Sequence, residues 1–198
     1  VGRKVAAAAA ANLTPTTLEL GGKSPCILDV SVNLADAALK VAHGKLLNAG
    51  QTCIAPDYVM LPRGMEAAFE QAYGAAVARL FPTIAGNPDY AAILTDRHLS
   101  RLYSLVREAQ AQGARVVTLG QGAASSDRQM APTLVFDAPA DSRLMTEEIF
   151  GPVLRVRGCH SLDDAVAYIN ERPRPLALYW FGTNAAARNR VLQRTVSG

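Results

Sequence analysis

The sequence is short of several things, and each shortage closes off a class of protein. It has three cysteines in 198 residues, Cys26, Cys53 and Cys159, far apart and with no Cys-x-x-Cys spacing. An odd count without paired spacing argues against a disulfide framework and against a zinc site. No metal is therefore expected, and the usage fits a reducing compartment, with the cytoplasm as the default. No apolar run approaches the ~20 residues of a membrane-spanning helix. The alanine run Ala6–Ala11 is short and lies in a helical context without the cleavage site of a signal peptide. Excess charge of one sign is also lacking: the net charge is +3 and dispersed, and aromatics make up 6%. No basic run is interleaved with aromatics, so no nucleic-acid partner is expected. What remains is an ordinary globular composition, 49% hydrophobic and 19% charged, long enough for one well-buried core.

Helix-like and strand-like segments alternate along the chain. Ala6–Ala11 favours helix on propensity and is closed by Pro15, after which Thr16–Leu20 reads as a short strand. A Gly21–Pro25 turn leads into an apolar strand, Cys26–Val30. Leu34, Ala38, Val41 and Ala42 make one apolar helical face, with Asn33 and Asp36 as an N-cap pair and Gly50 as the stop. Tyr58–Leu61 is a strand ended by Pro62. Met65–Leu80 is a helix, and Leu99, Leu102, Tyr103, Val106 and Ala109 stripe another that Gly113 stops. Ala114–Leu119 reads as a buried strand, residues 120–129 as a Gly/Ser/Ala-rich surface loop, and Ala131–Val135 and Val153–Arg157 as further strands. Ser161 with Asp164 caps a helix running to Asn170, and Asn184 starts the last one. This order predicts an α/β fold, an open, largely parallel twisted sheet flanked by helices.

Cys53 stands out by its setting, in Asn48-Ala-Gly-Gln-Thr-Cys53, on a tight loop between a helix and a strand. A free cysteine is most often a small buried hydrophobe, as Cys26 and Cys159 in their apolar strands read. A loop between two rigid elements is instead where reactive groups are held. Glu19, between two leucines, is costly to bury unless it has a partner or a task.

The Asn48–Cys53 stretch resembles the active-site motif of the NAD(P)-dependent aldehyde dehydrogenase superfamily. Three further matches follow the family's order: Leu18-Glu-Leu-Gly-Gly-Lys23, Met145-Thr-Glu-Glu-Ile-Phe-Gly-Pro152, and Asn170–Phe181. Together they span nearly the whole chain. Asp89–His98 and the Arg-Pro-Arg-Pro-Leu-Ala-Leu-Tyr run ending at Tyr179 resemble the class-3-type branch, which includes fatty-aldehyde and coniferyl-aldehyde enzymes. Val1-Gly2-Arg3 resembles the tail of a segment that opens a helix of the family's cofactor domain.

The resemblance implies specific roles. Cys53 would be the nucleophile, with its own backbone N–H as one oxyanion donor. Glu19 would activate the water that hydrolyses the thioester. Glu148 would bond the nicotinamide ribose hydroxyls, Phe150 would pack by the nicotinamide, and the Leu20-Gly21 backbone would approach it closely. The cofactor would be NAD or NADP, and the substrate a small-molecule aldehyde, aromatic or aliphatic, oxidised to its acid. Residues 1–18 would be a remnant of the cofactor-binding domain and 19–198 a catalytic domain truncated at its C-terminus, inactive alone and homodimeric in the full-length enzyme. Two other readings stand beside this one. One is a non-catalytic binding protein on the same fold. The other is a cysteine hydrolase using His43, His98 or His160, although no local Cys–His signature is present.

Overall fold

The computed structural model describes residues 1–120 and 128–198. The loop expected at 120–129 therefore lies mostly outside the described residues.

Among the described residues six strands form one sheet: β1 (Ser24–Leu28), β2 (Pro56–Pro62), β3 (Arg115–Thr118), β4 (Thr133–Phe136), β5 (Val153–Cys159) and β6 (Tyr179–Phe181). Their order is β3-β4-β5-β2-β1-β6. Every neighbouring pair is parallel except β3 with β4. The expected open, largely parallel α/β sheet is what forms.

Strand side chains alternate between faces, and here each face meets helices. Val59 and Leu61 of β2 pack with Cys26, Leu28, Leu154 and Val156 under α2 (Leu34–Leu46) and α3 (Glu66–Leu80). Tyr58 and Met60 point the other way, onto α6 (Leu162–Asn170) and Val191 of α7 (Ala185–Arg194). Residues of α4 (Asp96–Ala111) close a third cluster with Val135, Ile149 and Val153. Burial of each such aliphatic side chain contributes about 1.5–3 kcal/mol. The helix starts follow the local chemistry: Asn33, Thr95, Ser161 and Asn184 each accept from the N–H three residues on. The Asn33 box is half made, because the Asp36 carboxylate pairs with Lys40 instead.

Five expectations need correcting, the first being the strand expected at Cys26–Val30, which forms instead at Ser24–Leu28 and takes Ser24 and Pro25 from the expected turn. Thr16–Leu20 is not a strand: residues 12–23 have no helix or strand, and 11–21 are all exposed. Its β-branched residues favour extended backbone, but a strand exists only against a partner, and none of the described residues pairs with it. α2 ends at Leu46 rather than running to Gly50, because Leu47–Gly50 forms a separate tight turn. β3 is a partly exposed edge strand rather than a buried one. β5 continues two residues past Arg157, since Leu61 and Pro62 of β2 run on beside it.

α1 (Gly2–Ala11) stands apart in burying no residue. None of the described helices is long and apolar enough to cross a membrane.

Candidate active site

The path from α2 into β2 is a strained turn. Asn48 and Ala49 both have φ of 51° and Gly50 has φ of 77°. The left-handed region is costly for residues with a Cβ, by about 1–3 kcal/mol each, and such strain clusters where geometry serves a function. Gln51 keeps the turn in place. Its Nε2 donates to Asn48 O (3.1 Å) and Ala92 O (3.0 Å), while its Oε1 accepts from Leu94 N (2.9 Å). On the other side, the Tyr179 hydroxyl of β6 donates to Ile54 O at 2.6 Å. Burial raises the Tyr179 phenol above its ordinary range, helped by the nearby thiols of Cys26 and Cys53.

Cys53 lies between these two clamps, half-buried, whereas Cys26 and Cys159 are buried. Burial alone holds the Cys26 thiol far above its usual range, and burial is also the largest of the causes raising Cys159. Of the three thiols, only Cys53 is on an accessible turn.

Gly50 joins this turn to a second one. A Cβ on Gly50 would stand 2.3 Å from Gly151 O. Gly50→Ala therefore meets backbone as well as a positive φ, and should destabilise the chain by about 3 kcal/mol or more. A urea titration of parent and variant checks this.

The second turn follows α5 (Arg143–Thr146) and carries Glu147–Gly151. Its two adjacent carboxylates diverge. Glu147 bonds Arg143 and Arg101, and the Arg143 hydrogen bond is the largest cause pulling its carboxyl below the usual range. Glu148 turns inward onto glycine: a Cβ on Gly21 would lie 1.8 Å from its Oε2. Burial holds its carboxyl above the usual range, offset by the Gly22 backbone N–H beside it. Phe150 is 37% exposed, with φ of 53°, and its carbonyl lies 2.6 Å from His98 Nε2. Arg101 donates to the carbonyls of Glu148 (3.3 Å) and Ile149 (2.5 Å). A cleft of about 580 Å³ opens beside Glu148, bordered by Gly21, Lys23, Tyr58, Met145 and Arg172.

Of the residues singled out from the sequence, Gly21 and Glu148 are thus in contact, and the Cys53 and Phe150 turns touch through Gly50 and Gly151. Leu20 is 55% exposed and its side chain lies against Gly2 of α1. Glu19 is exposed, makes no hydrogen bond among the described residues, and is not paired with Cys53. His43 and His160 are exposed and His98 is engaged with Phe150 O, so no imidazole is shown paired with Cys53. No cluster of three potential metal ligands occurs among the described residues.

Sequence reasoning missed three charged residues beneath the site. Lys23 (14% exposed) pairs with Asp57 (3% exposed). Lys45 is 1% exposed and makes no hydrogen bond or ion pair among the described residues. A signal for Lys45 was available, since it continues the buried face of Ala38, Val41 and Ala42 at helical spacing. Burial pulls the Lys45 ammonium from 10.5 to about 8, with Lys23 adding to the pull and Asp57 and Glu148 opposing it. Between those two pH values the unfolded chain binds more protons than the folded one. This group therefore makes stability rise with pH across that window and holds it lowest below pH 8. Lys45→Met should be the more stable protein near neutrality by about 1–4 kcal/mol. Its advantage should shrink between pH 8 and 10.5, as paired urea titrations would show.

Comparison with known proteins accords with this geometry. The model of the aldehyde dehydrogenase family matches residues 1–198. A probable coniferyl aldehyde dehydrogenase of Caulobacter vibrioides is 51% identical over 202 residues, covering all of this chain and 42% of that protein. The substrate-bound state of Staphylococcus aureus AldH superposes with a TM-score of 0.91 at 38% identity, covering 98% of this chain and 42% of the other. Betaine aldehyde dehydrogenase of the same organism, in complex with NAD+, gives a TM-score of 0.87 at 25% identity, covering 100% of this chain and 40% of the other. The chain thus spans about two fifths of the length of these relatives. It belongs to the aldehyde dehydrogenase family.

Proposed function

We propose that this chain is the catalytic part of an enzyme that oxidises an aldehyde to its carboxylic acid with NAD(P)+ and water. The observation that carries this reading is the placement of Cys53. It is the one accessible thiol of three, on a turn clamped by Gln51 and Tyr179 and in backbone contact with the turn that bears Glu148 and Phe150.

The thiolate of Cys53 adds to the aldehyde carbon, forming a C–S bond and moving a π pair onto oxygen, where the Cys53 N–H stabilises the charge. Loss of hydride from that carbon restores the carbonyl and leaves a thioester on Sγ. Glu19 takes a proton from water, the hydroxide attacks the thioester, and the C–S bond breaks to return the thiolate and release the acid. NAD(P)+ supplies the hydride acceptor when bound. The residues present suit it. Gly21 leaves room for the Glu148 carboxylate, which is free to accept from a pair of ribose hydroxyls. Phe150 presents a partly exposed ring, and the cleft beside Glu148 gives access.

The relative named for coniferyl aldehyde favours an aromatic substrate over an aliphatic one. Residues 1–18 are assigned to a cofactor-binding domain and 19–198 to the catalytic domain, a division supported by the lack of buried residues in α1. The full-length enzyme is assigned as a cytoplasmic homodimer. The 198-residue chain alone is assigned as inactive, because dinucleotide binding draws most of its energy from a helix N-terminus under the pyrophosphate, and residues 19–198 are not assigned that element.

The test is NAD(P)H formation by the full-length protein with coniferyl aldehyde and with a medium-chain aliphatic aldehyde, alongside calorimetric titration of the isolated chain with NAD+ and NADP+. No aldehyde-dependent NAD(P)H would sink the activity. Micromolar binding by the isolated chain would sink the division into domains.

A further inference from the structure

We propose that Lys23 and Asp57 are a pair of positioning residues that sets the separation between the Cys53 turn and the turn carrying Glu148 and Phe150. The role in oxidation rests on the function proposed above; the geometry does not. Asp57 lies four residues after Cys53, in the buried start of β2. Its Oδ2 accepts from Ile149 N at 2.9 Å and its Oδ1 from Lys23 Nζ. The same ammonium donates to Leu144 O at 3.0 Å and Glu147 O at 2.8 Å. A lysine has three donors, and all three are used.

The pair therefore links three segments of the candidate site. Lys23 ends the stretch that holds Glu19, Gly21 and Gly22. Asp57 opens the strand behind Cys53. The N–H it accepts belongs to the residue between Glu148 and Phe150. Phe150 is thus fixed between two anchors, Ile149 N on Asp57 and Gly151 against Gly50.

Charge is the unusual choice here. Burying an ion pair carries a heavy desolvation penalty, and apolar side chains of the same volume often hold a core equally well. Apolar residues would leave Ile149 N–H and the carbonyls of Leu144 and Glu147 unpaired, so the turn would lose its address on β2. The pair's distinct contribution is directional, which is what a site needs from the shell beneath it.

The experiment compares Asp57→Asn, Lys23→Met and the double variant of the full-length protein. One readout is hydrogen exchange across residues 144–151. The other is the kinetics with cofactor and aldehyde, with alkylation of Cys53 by iodoacetamide as a control. Exchange should accelerate in each variant. A displacement of about 1 Å typically lowers turnover by about 10²-fold, and kcat/KM for NAD(P)+ should fall on that scale while alkylation of Cys53 keeps its parent rate. The double variant should be no worse than the poorer single, because both act through one link. Unchanged exchange, kinetics within twofold of the parent, or single effects that multiply would each overturn the proposal. So would an alkylation rate that changes in step with lost turnover, which would mark a general disturbance of the Cys53 turn. If Asp57→Asn does not fold, Lys23→Met decides, since it leaves the Ile149 bond to the carboxylate available. If the parent forms no NAD(P)H, the proposed function falls, and the exchange result still decides whether the pair holds the turn.

Discussion

Cys53→Ser in the full-length enzyme should abolish aldehyde oxidation while leaving cofactor binding near the parent value. The serine hydroxyl stays protonated at neutral pH where a thiol is partly ionised, so the attack on the aldehyde is lost. Removing a covalent nucleophile lowers turnover by roughly 10⁴- to 10⁶-fold. The side chain sits on a half-buried turn held by backbone contacts and by Gln51 and Tyr179, none of which involves the sulfur. Folding should therefore survive the change. Cys26→Ala and Cys159→Ala serve as controls: both thiols are buried, so each variant should lose about 1 kcal/mol of stability and keep its activity. Turnover above a few per cent of the parent's in Cys53→Ser would remove Cys53 as the nucleophile.

Glu19→Gln should separate the two halves of the reaction. Formation of the thioester needs no general base at this position, so a burst of NAD(P)H is expected. Hydrolysis does need one, and the steady rate should fall by about 10²- to 10⁴-fold. Acyl-enzyme would accumulate and be visible by mass spectrometry as an adduct on the Cys53 peptide. The exposed position of Glu19, in a segment with neither strand nor helix, suits a group that must reach water and that has no hydrogen-bond partner to lose among the described residues. A steady rate equal to the parent's, with no burst, would assign Glu19 another task.

How much of this was legible beforehand depended on how local each cause is. Helix caps at Asn33, Ser161 and Asn184 are short-range chemistry and were readable. So were the apolar faces of α2, α3 and α4, which follow from spacing alone. Thr16–Leu20 was misread because extended propensity is local while strand formation depends on a neighbour far along the chain. The early end of α2 was missed for a similar reason. Gly50 is a natural stop, but the chain turns away at Leu47 to meet Gly151, about a hundred residues on. Lys23 and Asp57 stand 34 residues apart and bond a third segment further still. No window of sequence contains all three, so only the folded chain displays the network.

The central pair of the sheet, β2 beside β5, has a consequence for how the chain is made. The last residue of β2, Pro62, precedes the first of β5, Val153, by 91 positions, yet their strands lie side by side. At a synthesis rate of about 5–20 residues per second, β2 waits roughly 5–18 s for its neighbour to emerge. Parallel pairings at such separation also form slowly once the chain is complete. Throughout that interval the turn bearing Cys53 lacks Gly151 and Tyr179, the contacts that define it. The thiol to which the nucleophile's part is assigned therefore emerges well before the contacts that surround it. Nascent chains of this protein should be most vulnerable to oxidation and to electrophilic aldehydes during synthesis, before the proposed site is assembled.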